Sequence, residues 1–309
     1  MACFVCLESV PAPTQSGCAC RGDAGLAHVA CLTRAASAKE GIGAWDTCGT
    51  CTHPYTGETL MGLARAWCAS VAVESDEAHL AAAHMVSVLG RQGHFAEAER
   101  MSRALRASVG ARHGHESEAA RILDMTTAKA LLFQGKHAEV ERSARDAVER
   151  MRLSLGEEHA ATMQMCQILA QALSFQEKHA EAERITLAVL EAMGRVYGAT
   201  HAHTLECGLC APWVMWRAGK RAEAEGMQRA MLGLRAGVLG AEHPSTLSMR
   251  TGLAAMLAGR GKIDEATQTV RAALAVSRRV LGPDHPETAR IVVTARNIEA
   301  ARPRGSAPR

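Results

Sequence analysis

Gly282-Pro-Asp-His-Pro-Glu-Thr288 has three earlier counterparts, Gly240-Ala-Glu-His-Pro-Ser-Thr246, Gly198-Ala-Thr-His-Ala-His-Thr204 and Gly156-Glu-Glu-His-Ala-Ala-Thr162, spaced 42 residues apart without a gap. A second marker keeps the same period: Gly93-His-Phe-Ala-Glu-Ala-Glu99, Gly135-Lys-His-Ala-Glu-Val-Glu141, Glu177-Lys-His-Ala-Glu-Ala-Glu183, Gly219-Lys-Arg-Ala-Glu-Ala-Glu225 and Gly261-Lys-Ile-Asp-Glu-Ala-Thr267. A fixed period in this range marks a solenoid, in which no unit buries its own apolar face and stacking of neighbours supplies the core. Five units occupy residues 78–281, with a closing helix over 282–301 and a tail expected to be disordered over 302–309.

Each unit reads as a helical hairpin. In the third, Met163 to Phe175 places Cys166, Leu169, Ala170 and Leu173 at helical spacing. A polar turn follows, and Ala180 to Tyr197 then carries Ala182, Ile185, Leu190 and Met193. Gly156, Gly198, Gly240 and Gly282 stand where a left-handed residue stops the second helix, and Pro244 and Pro286 stand where the next one opens. The repeated His159, His201, His243 and His285 do not read as metal ligands, because equivalent positions lie one repeat apart and cannot converge on one ion. Their expected work is hydrogen bonding at loops and helix ends.

The unit resembles the tetratricopeptide repeat in its 42-residue kinesin-light-chain form, on Gly282-Pro-Asp-His-Pro-Glu-Thr288 and on Leu169-Ala170 followed by Glu181-Ala-Glu183. That resemblance implies binding of a protein substrate or partner on the concave side, lined by the first helix of each unit. The asparagine pair that often holds a peptide backbone in the family is absent: the first position reads Ala83, Met125, Gln167, Leu209 and Thr251, and the second His84, Thr126, Ile168, Cys210 and Gly252. A more apolar contact is expected instead. In the fourth unit Pro212 falls inside the first helix, where it predicts a bend. Trp213 and Trp216 then read either as partner-binding anchors or as filling around a distorted helix. Cys207 and Cys210 are a zinc or redox pair by spacing, or two buried thiols.

Outward from the repeats, the chain changes character. Seven of the eleven cysteines and one histidine fall within the first 51 residues as four close pairs, Cys3/Cys6, Cys18/Cys20, His28/Cys31 and Cys48/Cys51. One or two residues between donors lets a tight turn aim both at one tetrahedral Zn²⁺. Eight donors make two closed sites, which read as structural because a catalytic zinc keeps a position for water. Spacing alone leaves the pairing open. After Cys51, Tyr55-Thr56-Gly57 reads as an exit turn, and residues 57–77 as a connecting helix over Glu58 to Val73 with Leu60, Leu63, Trp67 and Val71 on one face. Trp67 reads as core.

The order of donors and the steps between the pairs resemble the RING-CH (RING-variant) zinc finger of ubiquitin ligases, with Cys18-Ala-Cys20 and the seven residues before His28 separating it from the PHD finger. That resemblance implies a small cross-brace over residues 1–56, in which Cys3, Cys6, His28 and Cys31 hold one zinc and Cys18, Cys20, Cys48 and Cys51 the other. It also implies that Val5, between the first two cysteines, and Trp45, before the last pair, dock a ubiquitin-conjugating enzyme. The chain departs from the family in lacking a proline inside Cys48-Gly-Thr-Cys51 and in carrying Thr52 after the last ligand.

Composition agrees with a small finger joined to an all-α solenoid. The 309 residues suit about two domains, and 48% hydrophobic with only 3% aromatic residues suits close-packed helices of Ala, Leu, Val and Met. A formal charge of +3, with no long basic run, argues against nucleic acid or an anionic membrane as partner. No run of eighteen apolar residues is present, and with the first ligand at Cys3 no signal peptide is expected. Thiolate ligation expects a reducing compartment, cytosol or nucleus. The function expected is a RING-type ubiquitin-protein ligase whose finger orients a loaded conjugating enzyme while the repeats hold substrate. The alternative is a non-catalytic zinc-binding adaptor, and a zinc hydrolase ranks behind both because the sites are closed.

Overall fold

A computed structural model describes residues 2–301 except 19, 21, 40, 73, 74, 116 and 284; the tail expected at 302–309 lies outside the described residues. The chain divides into two compact units, Met1–Ser154 and Leu155–Arg309. The first unit therefore joins the cysteine-rich segment to the first hairpins.

In that unit β1 (Thr14–Gln15) and β2 (Leu26–Ala27) pair antiparallel, Thr14 opposite Ala27. Helices α1 (Val29–Ser37) and α2 (Gly43–Asp46) follow, and a lone bridge joins Thr47 to Pro54. Strands of two residues cannot hold a core by pairing. The helices after them are longer: α3 (Gly57–Ser70), α4 (Asp76–Arg91), α5 (Phe95–His113), α6 (Glu118–Phe133) and α7 (His137–Leu155). Leu60, Leu63 and Trp67 lie buried on α3 as expected, but the helix stops at Ser70 and Val71 is extended.

The second unit holds α8 (Ala160–Phe175), α9 (His179–Tyr197), α10 (Ala202–Cys207), α11 (Ala211–Arg217), α12 (Arg221–Leu239), α13 (Pro244–Gly259), α14 (Ile263–Val280) and α15 (Pro286–Ala300). On α9 the buried stripe is Ala182, Thr186, Val189 and Met193, so Ile185 and Leu190, expected in the core, stand at its edges.

The repeated heptapeptide is a helix-to-helix joint. Gly156, Gly198, Gly240 and Gly282 all have φ between 87° and 92°, a left-handed turn that a side chain would strain. Gly114, one period earlier, does the same with φ 84°. Three residues after four of these glycines, Nδ1 of His159, His201, His243 and His285 accepts the backbone N–H two residues on, at 3.1–3.3 Å. The histidines are thus helix caps. Ser75 and Ser117 take the same place in the earlier joints, accepting from the N–H of Ala78 and Ala120. Thr162, Thr204 and Thr288 close the joint by donating to the carbonyls of Gly156, Gly198 and Gly282 at 2.8–2.9 Å.

The second marker is an ion-pair ladder. Glu99 accepts from Lys136 at 2.8 Å, Glu183 from Lys220, and Glu225 from Lys262 at 2.9 Å, each lysine lying 37 residues on. Glu225 also accepts from Arg229 and Arg260. Burial pushes its carboxyl up, but the hydrogen bonds from Lys262, Arg229 and Arg260 outweigh that and hold it down at about 2. A carboxylate depressed in the folded state stabilises above its ordinary value of 4.5, and that stabilisation is lost as pH falls toward 2. Glu225→Gln should therefore be less stable than wild type at pH 7, by on the order of 2 kcal/mol. Urea midpoints followed from pH 7 down to about 2 should show the gap closing across that window; a constant gap would exclude the charge as its source.

The fourth unit departs from the expectation of one bent helix. Its first helix is broken into α10 and α11, and Pro212 stands in the first turn of α11, where its missing N–H costs nothing. The break frees carbonyls, since the Leu209 N–H bonds Glu206 rather than Leu205. Leu205 accepts instead from the Arg235 guanidinium, and Cys207 from Nε2 of Gln167 at 3.3 Å. Buried polar backbone requires such partners.

Candidate metal centre

Four short turns bring the eight donors together. The N–H of Phe4 bonds Leu26 C=O at 2.9 Å, which lays the first turn against β2 beside His28. Cys31 sits in the first turn of α1, Cys18 and Cys20 lie between the two strands, and Cys48 and Cys51 occupy the turn closed by the bond from Thr52 N–H to Cys48 C=O. Leu7 (φ 64°) and Thr52 (φ 57°), each directly after the second cysteine of its turn, are left-handed. Non-glycine residues adopt that conformation at a cost of about 1 kcal/mol, and here it folds the backbone around the sulfurs. Cys3 Sγ accepts from the N–H groups of Val5 and His28, both at 3.4 Å.

The donors form two sets, Cys3, Cys6, His28 and Cys31 in one and Cys18, Cys20, Cys48 and Cys51 in the other, with all ligand atoms of a set within 4.8 Å of one another. First and third pairs share one set, second and fourth the other. That is the interleaving which spacing left open. Cys6 Sγ and Cys31 Sγ lie 3.4 and 3.6 Å from His28 Nδ1, and Cys20 Sγ lies 3.8 Å from Cys48 Sγ. The edge of a tetrahedron around an ion bound at thiolate and imidazole distances is about 3.6–3.8 Å, so the cradles fit. His28 Nε2 lies 2.5 Å from Pro11 C=O, a contact that keeps the proton on Nε2 and leaves Nδ1 free to bind. Ser16 Oγ is 3.1 Å from Cys18 Sγ and Arg34 donates to Cys31 Sγ at 3.8 Å, two outer contacts with no sequence signature.

In each set one thiol, Cys3 or Cys48, is pushed down, while Cys6 in the first set and Cys18 and Cys20 in the second are pushed up. Burial pushes the Cys3 thiol up, but N–H groups of Cys6, His28 and Val5 outweigh it and bring it down to about 6. Cys48 behaves alike: burial raises it, and the N–H groups of Cys51 and Thr50 lead in bringing it down to about 7. Cys20 is pushed up by burial and by its neighbouring thiols. A bound metal ion would relieve that crowding by holding the sulfurs as thiolates. Each four-donor set can hold one ion, with no position left for water.

The two expected docking residues part company. Val5 is 43% exposed on the first turn. Trp45 is only 4% exposed, because its indole stacks on Trp67 of α3 with ring centres 5.4 Å apart and planes at 6°. The outward-facing role expected of Trp45 is thereby corrected: α3 covers it. Trp67 also meets the His84 ring on α4 and donates from Nε1 to Glu77 Oε1 at 3.2 Å.

In the second unit Trp213 is 39% exposed and Trp216 half-buried, the two rings 6.4 Å apart. Trp216 is seated where a Cβ on Gly259 would come within 2.6 Å of it, and the Arg221 guanidinium lies 5.5 Å from its ring. Trp213 is thus accessible and Trp216 partly core. Cys207 is buried and Cys210 half-buried at the helix break, and neither joins a donor set among the described residues.

No helix among the described residues is long and apolar enough to cross a membrane. Residues 213–245 and 246–287 match the Tetratricopeptide repeat family. No curated protein matches. Among solved structures, a putative kinesin light chain with nearly identical TPR-like repeats from Podosopora anserina is similar with TM-score 0.51 and 18% identity, over 67% of this chain and 98% of that one. The Rap protein complexed with Competence and Sporulation Factor is similar with TM-score 0.57 and 13% identity, over 72% of this chain and 65% of that one. Residues 213–287 therefore match tetratricopeptide repeats, and the chain is similar in fold to a kinesin-light-chain-like array.

Proposed function

We propose that the chain is a RING-type ubiquitin-protein ligase whose finger binds two structural Zn²⁺ ions and docks a ubiquitin-loaded conjugating enzyme, while the repeats recruit a protein substrate. The observation that carries this reading is the interleaving of the eight donors, three thiolates with an imidazole and four thiolates, the donor sets that suit zinc. Zinc supplies folding free energy there and no nucleophile. The finger's contribution is orientation, presenting the thioester of the conjugating enzyme to a substrate lysine. With Trp45 covered, the docking face centres on Val5 and the neighbouring exposed Leu7. On the repeats, Trp213 is the accessible aromatic anchor for a partner, and tetratricopeptide arrays generally bind proteins. The thiolate ligands suit a reducing compartment, cytosol or nucleus.

A second reading, a zinc-binding adaptor without ligase activity, is favoured by the burial of Trp45, which removes one of the two docking residues. Discharge of ubiquitin from loaded conjugating enzymes onto free lysine separates them. The zinc-loaded chain should accelerate discharge at least about tenfold, and Val5→Ala, with both ions retained, should lose most of that gain. No acceleration with any of a broad panel of conjugating enzymes would leave the adaptor.

A further inference from the structure

The finger has no core of its own. Its strands are two residues long, and its buried residues continue without interruption into those of the helices behind it: Cys48 and Trp45 join Leu63 and Trp67, then Val88 on α4 and Leu123 on α6. Polar contacts follow the same boundary. Thr59 Oγ1 donates to Gln15 C=O at 3.1 Å and Thr56 Oγ1 to Gly17 C=O at 2.8 Å, while Gln92 Nε2 at the end of α4 donates to Gly57 C=O at 2.7 Å. Arg91 on α4 holds Asp46 with two hydrogen bonds, at 2.7 and 3.1 Å. On α3, Gly62 lets the helix approach α1 so closely that a Cβ would come within 2.9 Å of Val29.

A helical array needs a cap at each end, because its terminal hairpin has no neighbour on one side. Here the first hairpin begins at α4, and what covers its open side is α3 with the finger. Trp45 and Asp46, which make the aromatic and the ionic parts of that contact, lie three and two residues before the metal donor Cys48. Their position follows from the turn that the second donor set closes.

We propose that the finger is the N-terminal cap of the repeat array, and that metal binding at its donor sets is coupled to the order of α3 and α4. Metal binding that builds a site absent from the unfolded chain contributes directly to folding. Through the Trp45–Trp67 stack and the Asp46–Arg91 pair, that contribution reaches the first repeat. The proposal does not depend on ligase activity.

The test is hydrogen exchange on the intact chain, loaded with Zn²⁺ or stripped by a strong zinc chelator. Stripping should accelerate exchange of the amides of α3 and α4 at least about tenfold and leave those of α13 to α15 unchanged. Trp45→Ala keeps all eight donors. At saturating zinc it should still bind two ions, yet lose protection in α3 and α4, and its zinc affinity should fall, because coupling is reciprocal. Unchanged protection of α3 and α4 in stripped protein, with the finger exchanging freely, would overturn the proposal. So would a Trp45→Ala protein with wild-type zinc affinity and wild-type protection.

Discussion

Trp67→Ala should cost about 3–5 kcal/mol, the range for truncating a fully buried tryptophan, with the zinc sites loaded. The indole is 2% exposed, stacks on Trp45, meets the His84 ring at 5.5 Å and donates to Glu77. Removing it leaves a cavity between two rigid rings that cannot collapse into it, which places the loss toward the upper end. For a unit of this size the melting temperature should fall by about 10 °C. His84 reports the same event chemically. Burial pushes its imidazole down to about 4, and Nε2 has no hydrogen-bond partner among the described residues. Water admitted by the missing indole would pair that nitrogen and let the ring titrate closer to its ordinary value of about 6.5. A histidine lowered in the folded state takes stability away as pH falls from about 6.5 toward 4, so wild type should weaken over that interval and the variant should weaken less. Calorimetry gives the first number and NMR titration of the His84 ring the second. A small loss with His84 unchanged would mean that the Trp45 ring refills the space.

The parts of this molecule that were legible in its sequence are those set by local chemistry at a fixed interval. A left-handed glycine, a cap three residues later and a threonine that closes the joint all act within seven residues, so the 42-residue marker gave both the period and the hairpin boundaries. The four donor pairs were legible for the same reason. Ser75 and Ser117 are not recognisable from sequence as members of the series, because the cap changes from imidazole to hydroxyl while its function stays the same. Long-range contacts were not legible. Spacing put Trp45 near Cys48 and Trp67 on a buried face, but nothing local says that the two rings meet, and that contact turns an expected docking residue inward. The ladder from Glu99 to Lys136 was visible as a repeated pair of letters without a role, since the role appears only when successive units stack. Pro212 signalled a disturbed helix correctly; whether it bends or breaks depended on partners for the freed carbonyls, and those come from Gln167 and Arg235 on other helices.

Arg235→Ala should cost about 3 kcal/mol, from a cavity together with an orphaned Leu205 carbonyl. The side chain is 3% exposed on α12, donates to Leu205 C=O and Ser245 Oγ, and leaves Nε without a partner among the described residues. Burial lowers its pKa, the mark of a cation held at a cost, with Glu206 offering partial compensation. One period earlier the equivalent residue is Met193, fully buried, and one period later Ser277, also fully buried. The array thus accepts an apolar residue here, and the arginine answers a need that exists only where α10 breaks. Arg235→Met separates the two contributions. Methionine fills the volume and removes the desolvated charge but cannot serve the carbonyl, and replacing a buried charge by a well-packed apolar group is often close to neutral. The methionine variant should therefore stay within about 1 kcal/mol of wild type and exceed alanine by about 2 kcal/mol in urea unfolding. If methionine instead falls to the level of alanine, the hydrogen bond to Leu205 dominates, and the broken helix depends on Arg235 to serve the carbonyl that its break exposes.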